Sequence, residues 1–455
     1  MCVITYQNQT CEIKNKCINA FFSSIIQFFH SQISLYQFIN RRQRTKVGIS
    51  FMKKPLIVIF LTVFIYLLGF GMIIPVLPLL STHYGATPLQ AGLLMSCYSL
   101  MQFLFSPFWG KLSDKYGRRP ILMYCLLGEA ISYLVLAASR SLEMLFIARL
   151  LTGFFGASIS TASAYVSDVT TPQERSKGMA LIGAAFGLGF LFGPAIGGGL
   201  TVWAEKISND TGFIASFSSY GVALLCLVTF IFAYYNLKES ISAENREKNT
   251  LDKKNRIDHL LKYFQIPLVG QLMSGFGLAT LSMAMMESTL VLFMKQKYNW
   301  NIKEVSFGFA YIGIIIVFTQ GFLVRKLIPL FGERFVLRLG LFSLGLGLTG
   351  IGFASNIATM GLVMTLLSIG SGLSNPAFLG SISLLVPPDE QGLAMGTTQS
   401  LSALGRVVGP AIGGYLFGHL TVESPFFMAG SLTFVALLLI INHYHKLPVS
   451  GKKVL

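Results

Sequence analysis

Four ionisable residues, Glu129, Arg149, Glu287 and Arg406, stand inside long apolar runs of the chain. A charge at the centre of a bilayer costs about 2.5–3.5 kcal/mol even on mild scales, so each of them needs a partner or a cavity. Counting along the helices at about 1.5 Å per residue puts Glu129 and Arg149 at comparable depth on neighbouring antiparallel runs. Two readings stay open there, a structural ion pair or a carboxyl group that takes up and gives back a proton. Glu287, within MAMMESTLVLF, lies roughly two turns from the end of its run. It is the first candidate for a proton carrier, against the plainer reading of a satisfied polar residue near the membrane interface. Arg406 either snorkels to a helix end or binds an anion. Tyr66, Gln102, Gln271, Gln320, Asn375 and Gln399 are further polar groups placed to line a cavity, although glutamines in membrane helices also bond to neighbouring helices.

Other kinds of chemistry find no support. HExxH, GxSxG, a phosphate loop and a cluster of histidines with carboxylates are all missing, so no enzyme is expected. The six cysteines, Cys2, Cys11, Cys17, Cys97, Cys125 and Cys226, include no CxxC pair. They imply neither disulfide nor metal, and no cofactor is expected.

The elements that must position these groups are membrane helices. Of 455 residues only 12% are charged while 53% are apolar, with 38 phenylalanines, which excludes a water-exposed globule. The formal charge of +16 could suggest nucleic acid, but residues 1–54 carry eight Lys or Arg against one Glu, and much of the rest sits in short loops. Such loops set the orientation of a membrane chain, so nucleic acid is not an expected partner. Twelve apolar runs of helical length follow, at about 56–80, 89–109, 120–138, 142–165, 177–200, 213–236, 264–294, 304–324, 335–354, 357–380, 393–418 and 424–443.

These runs predict an all-α integral membrane fold in five segments. Residues 1–51 are a basic extension in which the patch Ala20 to Phe29 is too short to span a bilayer; two readings stay open, an untranslated stretch with the start at Met52 or a disordered extension that starts at Met1. Residues 52–236 form a six-helix half, 237–262 a charged linker, 263–446 a second six-helix half and 447–455 a tail. An even number of spans puts both termini on one side, and the basic loops place that side in the cytoplasm of a bacterial inner membrane. Lys295, Lys297 and Lys303 alone disagree.

The halves share an internal repeat. GPAIGG occurs at Gly193–Gly198 and again at Gly409–Gly414, 216 positions later, and at the same offset Pro172 falls on Pro388 and Glu174 on Glu390. Glycines recur every fourth residue, Gly189, Gly193, Gly197 and Gly405, Gly409, Gly413, which permits close helix approach. Pro194 and Pro410 each remove a backbone hydrogen bond and predict a bend, so the two stripes are candidate hinges.

Between the second and third runs, Gly110-Lys-Leu-Ser-Asp114-Lys-Tyr-Gly117-Arg118-Arg119-Pro120 reads as a turn, either solvated or knotted by Asp114 among its cations. It resembles the signature loop of the major facilitator superfamily. Arg149-Leu-Leu-Thr-Gly153-Phe-Phe-Gly156-Ala157 is similar to the buried-arginine motif of that family's fourth helix, and Asp168-Val-Thr-Thr-Pro172-Gln-Glu174-Arg175 to the loop after it. That last stretch also reads locally as a helix start, with Thr171 as cap and Glu174 closing a capping box. Gly187 to Leu200 is similar to the fifth-helix motif of the proton-coupled exporters. The resemblance covers Met52 to about Lys446 and is nearest the tetracycline and multidrug branch.

Three positions depart from tetracycline exporters. Tyr66 stands where they carry a first-helix carboxylate, Ser132 where they carry a third-helix one, with Glu129 a turn earlier, and the ninth run has no acid at all. In the second half the loop motif has decayed to Gly321-Phe-Leu-Val-Arg-Lys with Gly332-Glu-Arg334. The resemblance therefore implies the transporter class rather than tetracycline as cargo. It implies a monomeric proton antiporter that exports small amphiphilic molecules by alternating access, with Asp114, Arg118 and Arg119 latching the gate and Glu129 and Glu287 exchanging protons. A same-fold metabolite or siderophore carrier is the alternative, and a non-transporting receptor a remote one.

Overall fold

The computed structural model describes residues 54–170, 175–208, 210–240, 266–387 and 391–441. The extension before residue 54, most of the linker and the tail lie outside the described residues, as does Met52. Every regular element among the described residues is helical. The first half contains α1 (Lys54–Ile73), α2 (Val76–His83), α3 (Pro88–Tyr116), α4 (Arg118–Ala137), α5 (Leu142–Gly156), α6 (Ile159–Val169), α7 (Arg175–Ala204) and α8 (Thr211–Asn236). The second contains α9 (Pro267–Tyr298), α10 (Ile302–Phe318), a π-helical turn (Thr319–Leu323), α11 (Val324–Phe353), α12 (Ile357–Leu385), α13 (Gln391–His419) and α14 (Ser424–Ile441).

Ten of the resulting runs are long and apolar enough to cross a membrane. One of them, Ile302–Phe353, holds two spans, and α13 supplies another despite its lower hydropathy. Large apolar side chains such as Ile131, Leu224 and Phe353 stay exposed on the outer faces, where lipid would cover them. Local sequence explains the helix starts. Thr87 and Gln90 form a reciprocal capping box ahead of Pro88, Asn301 and Glu304 form another, and Asp210 accepts from the Gly212 and Phe213 backbone.

Several boundaries differ from the periodicity. The first span is interrupted at Ile74 and Pro75, and the fourth at Ala157 and Ser158. The expected loop from Gly110 to Pro120 is helical apart from Gly117, whose φ of 105° is open to glycine and closed to most side chains. Gly110 therefore sits within a helix. The corresponding break in the second half is Gly332, at φ 77°, and the expected 325–334 loop is otherwise helix. Both reversals rest on one glycine, 215 residues apart, so the repeat persists in backbone geometry where the loop sequence has decayed.

The glycine stripes define how each half is built. A Cβ at Gly193 would lie 2.7 Å from the Gly71 backbone, and one at Gly197 2.8 Å from the Met72 carbonyl. A Cβ at Gly189 would lie 2.8 Å from the Leu67 backbone. In the second half Gly405 and Gly409 face Leu281, and Gly413 faces Met285, at 2.7–3.1 Å. Each stripe thus seats its helix against the first span of its own half, with backbones at a separation no larger residue permits.

The second glycine of each GG pair points elsewhere. A Cβ on Gly198 would meet Ser306 of α10, and one on Gly414 would meet Pro88 and Leu89 of α3, both across the seam between halves. Gly92 of α3 lies against the Pro410 carbonyl in the same way. All of these contacts sit toward the end of the bundle that carries Thr87, Ala204 and His419. At the opposite end of the same helices, a Cβ on Gly110, Gly321 or Gly396 meets nothing within 4 Å among the described residues. The close glycine contacts across the seam thus gather at the first, closed end, and Gly110, Gly321 and Gly396 make none at the other, open end, which carries Asp114.

Candidate functional site

At the open end, Arg118 is the centre of an ion-pair knot. Its guanidinium bonds Asp114 at 2.6 Å, the Ser113 hydroxyl at 2.6 Å and Asp168 at 3.1 Å, with little of Arg118 exposed. Arg119 instead donates to the Tyr234 carbonyl at 2.7 Å and lies over the Tyr234 ring. Glu239 completes the knot from the start of the linker. Its carboxylate accepts from the backbone N–H groups of Arg118 and Arg119 at 2.9 and 3.2 Å, capping the start of α4, while Ser240 donates to Asp168 at 2.9 Å. Glu239 and Ser240 escaped the sequence reading because the linker reads as solvated. Glu174 and the capping box with Thr171 lie outside the described residues. Arg175 opens α7, and its side chain is likewise outside.

Midway along the bundle a polar cluster fills the first half. Tyr66 of α1 and Tyr98 of α3 share a hydroxyl–hydroxyl hydrogen bond of 2.7 Å. Tyr66 also donates to the Gly156 carbonyl at 3.0 Å, and Gln102 donates to the same carbonyl at 2.9 Å and to both phenols at 3.3 Å. The carbonyl can accept both because α5 ends at Gly156, so it is free of a helical partner. Irregular backbone at membrane depth is tolerated where it lines a cavity or is buried in protein. The small residues Gly153, Gly156, Ser158 and Ser160 were the available signal for this break, and the Tyr98, Gln102 spacing the signal for one face.

Glu129 and Arg149 do not pair. Glu129 is wholly buried, and neither of its carboxyl oxygens has a hydrogen-bond partner. Arg149 turns instead to α3, with its guanidinium 4.5 Å from the Tyr98 ring centre and its Nε 3.4 Å from the Leu94 carbonyl. Depth along two helices fixes height but not rotation, so two groups at one level can face different neighbours. Ser132, where the exporters carry an acid, donates back to the Gly128 carbonyl at 2.6 Å.

The second half contributes Glu287 of α9 and Arg406 of α13, both half-buried. They lie within electrostatic reach of one another, and Arg406 also lies within electrostatic reach of Tyr66 and Tyr98 of the first half. Arg406 donates to Ser402 at 3.2 Å, and Ser402 donates to Thr280 at 3.3 Å. Gln320 sits in the π-helical turn with its Oε1 3.5 Å from the Cβ position of Gly187, so it too spans the seam. The Oε1 of Gln271 is buried without a partner, and Asn375 stands exposed on α12. Gln399 on α13 is also exposed, and Pro194 and Pro410 lie within continuous helices.

At the closed end, Lys297 lies 3.6 Å from Glu423 and 3.5 Å from the Gly352 carbonyl. One of the three lysines that disagreed with the expected orientation is therefore held in a local pair.

Two repeated helical halves with polar groups in the seam between them make the architecture of a membrane transporter. A profile of the Major Facilitator Superfamily matches residues 59–329 and 272–453. The chain belongs to that superfamily, and it is a multi-pass membrane protein. It is 28% identical to the tetracycline resistance protein, class H, of Pasteurella multocida over 417 residues, covering 89% of this chain and 99% of that one. It is 29% identical to multidrug resistance protein 2 of Bacillus subtilis (strain 168), covering 86% and 96%. The crystal structure of the human organic anion transporter MFSD10 (TETRAN) superposes with a TM-score of 0.63 at 26% identity, covering 85% of this chain and 99% of that one.

Proposed function

We propose that this protein is a proton-coupled antiporter that exports small amphiphilic molecules, the two halves rocking about the seam. The observation that carries the reading is the pair of acids at the middle of the bundle with no ion pair within 4.0 Å among the described residues, Glu129 and Glu287. Acids without fixed partners are free to exchange protons as access alternates, whereas a structural ion pair is not. The similarity to tetracycline and multidrug resistance proteins supports efflux as the direction. The driving force is adequate, since one charge moving across 100 mV is worth about 2.3 kcal/mol, or roughly a 50-fold gradient of substrate.

Asp114, Arg118, Asp168 and Glu239 serve as the latch of the open end, and the GG pairs as the clasp of the closed end. Tyr66, Gln271, Gln320 and Asn375 are the candidate cavity groups. A second reading is export of an organic anion. It is favoured by Arg406 in the seam, by Arg149 with an unpartnered Nη1, and by the likeness to an organic anion transporter.

The test is proton release from protein in liposomes as lipophilic cationic dyes, tetracycline and organic anions are added in turn. A compound that provokes proton movement in the native protein but not in Glu287→Gln supports antiport. Substrate movement without proton movement for every compound sinks it.

A further inference from the structure

Resting on the antiport reading, we propose that the interruption of the fourth span at Gly156 is the proton site of the first half, where Glu129 holds the proton and the Tyr66–Tyr98 hydroxyl pair passes it toward Gln102 and the cavity. Three oxygens converge on one point there. The Cβ position of Gly156 is 2.8 Å from the Tyr66 hydroxyl, 3.1 Å from Glu129 Oε1 and 3.1 Å from the Tyr98 hydroxyl. Those distances place the Glu129 carboxyl oxygen within about 6 Å of either phenol oxygen, a gap that a change of side-chain rotamer would have to close for the proton to pass. Only a residue without a side chain leaves that space open.

The surroundings fit a proton holder better than a structural carboxylate. An ionised carboxylate with both oxygens unbonded and no contact with water costs several kcal/mol, so this geometry suits the neutral acid. Tyr66, Tyr98, Tyr133, Cys125 and Cys226 lie within electrostatic reach of Glu129, and none of these five is a cation. Arg149, the nearest candidate partner by depth, lies over the Tyr98 ring instead and makes no ion pair with Glu129.

The outlet is also visible. Tyr66 and Tyr98 are buried, while Gln102 is half-buried, so the network reaches accessible surface at one member. The step balances as a relay. The Tyr66 hydroxyl first turns from the Gly156 carbonyl toward Tyr98; the Glu129 O–H proton then passes to the Tyr66 oxygen as the Tyr66 proton passes to Tyr98, and the Tyr98 proton leaves to water beside Gln102. Each phenol ends as neutral as it began, and Glu129 alone gains a negative charge.

The experiment uses the full-length protein in liposomes, with the compound that gives the strongest proton release in the native protein. Tyr66→Phe and Tyr98→Phe keep the rings, including the one Arg149 stacks on, and remove only the hydroxyls. Each is expected to slow proton release at least tenfold, and in Tyr98→Phe substrate counterflow, which needs no net proton movement, stays within twofold. Gly156→Ala is expected to do the same if it folds, and the phenylalanine variants carry the test if it does not. Infrared difference spectra on adding the compound are expected to show loss of a protonated-carboxyl band that Glu129→Gln removes. Unchanged proton release in both phenylalanine variants overturns the relay, and a carboxyl band that persists in Glu129→Gln overturns the holder. In either case coupling through Glu287 survives. No proton release in the native protein overturns the antiport reading and this site with it.

Discussion

Replacing Gly193 and Gly414 by alanine is predicted to have different consequences although both sit in copies of one sequence. A methyl group on Gly193 lies 2.7 Å from the Gly71 Cα and 2.8 Å from the Leu68 carbonyl. Ordinary carbon contacts are about 3.5–4.0 Å, so α1 and α7 must separate by roughly 1 Å, and backbone cannot rotate aside. Overpacking of that kind costs about 1–3 kcal/mol. Because both helices belong to one half, the cost is the same whichever way the seam is open. Gly193→Ala is thus expected to lower the melting temperature and leave the balance of conformations alone.

A methyl group on Gly414 collides with Pro88 and Leu89 of the other half, and only while the seam is closed at that end. The same 1–3 kcal/mol then becomes a shift of about 5- to 150-fold toward states that are open there. The assay places one cysteine at Ser96, one turn inward of Gly92 and buried here, in a background whose native cysteines are replaced. Its reaction with a membrane-impermeant maleimide added to that side is expected to accelerate 5-fold or more in Gly414→Ala and to stay at the parental rate in Gly193→Ala. Equal acceleration in both variants, or a melting shift without acceleration in Gly414→Ala, would refute the assignment of the two glycine faces.

Three further outcomes follow from the open-end knot and the closed-end pair. Arg118→Lys retains charge but cannot bond Asp114, Ser113 and Asp168 together, so transport is expected to fall at least tenfold while expression is maintained, read by uptake into everted vesicles. Glu239→Ala removes the cap of α4 and is expected to cost about 0.5–2 kcal/mol, seen as a lower melting temperature and faster tryptic cleavage after the exposed Lys238. Glu423→Gln breaks a pair whose two members are each about one quarter exposed, so less than about 1 kcal/mol is expected and transport should be unchanged.

The helical class was legible because apolar runs of spanning length have few other uses, and the repeat was legible because GPAIGG is identical in both copies. What each glycine touches was not legible. Gly197 and Gly198 are adjacent in sequence, yet one faces Met72 of its own half and the other Ser306 of the opposite half, a distinction set by rotation about the helix axis. The reversal at Gly117 was visible as a glycine, but its confinement to one residue was hidden by the charged residues around it. Glu129 was legible as an acid in an apolar run. Its lack of a partner was not, because Arg149 at the same depth turns to an aromatic ring on α3. Tyr98 was passed over since a tyrosine in a membrane helix ordinarily signals nothing.

The low hydropathy of α13 bears on how the protein is made. It is absent from the runs apolar enough to cross a membrane alone, and it carries Arg406, Gln399 and several hydroxyl residues. As an isolated segment, such a helix gains less from entering lipid than spans that lack these polar groups. Its glycine stripe matches α9, which is synthesised well before it. The stripe therefore also gives α13 a close-fitting partner that is already synthesised, which offsets the cost of its polar groups in the bilayer.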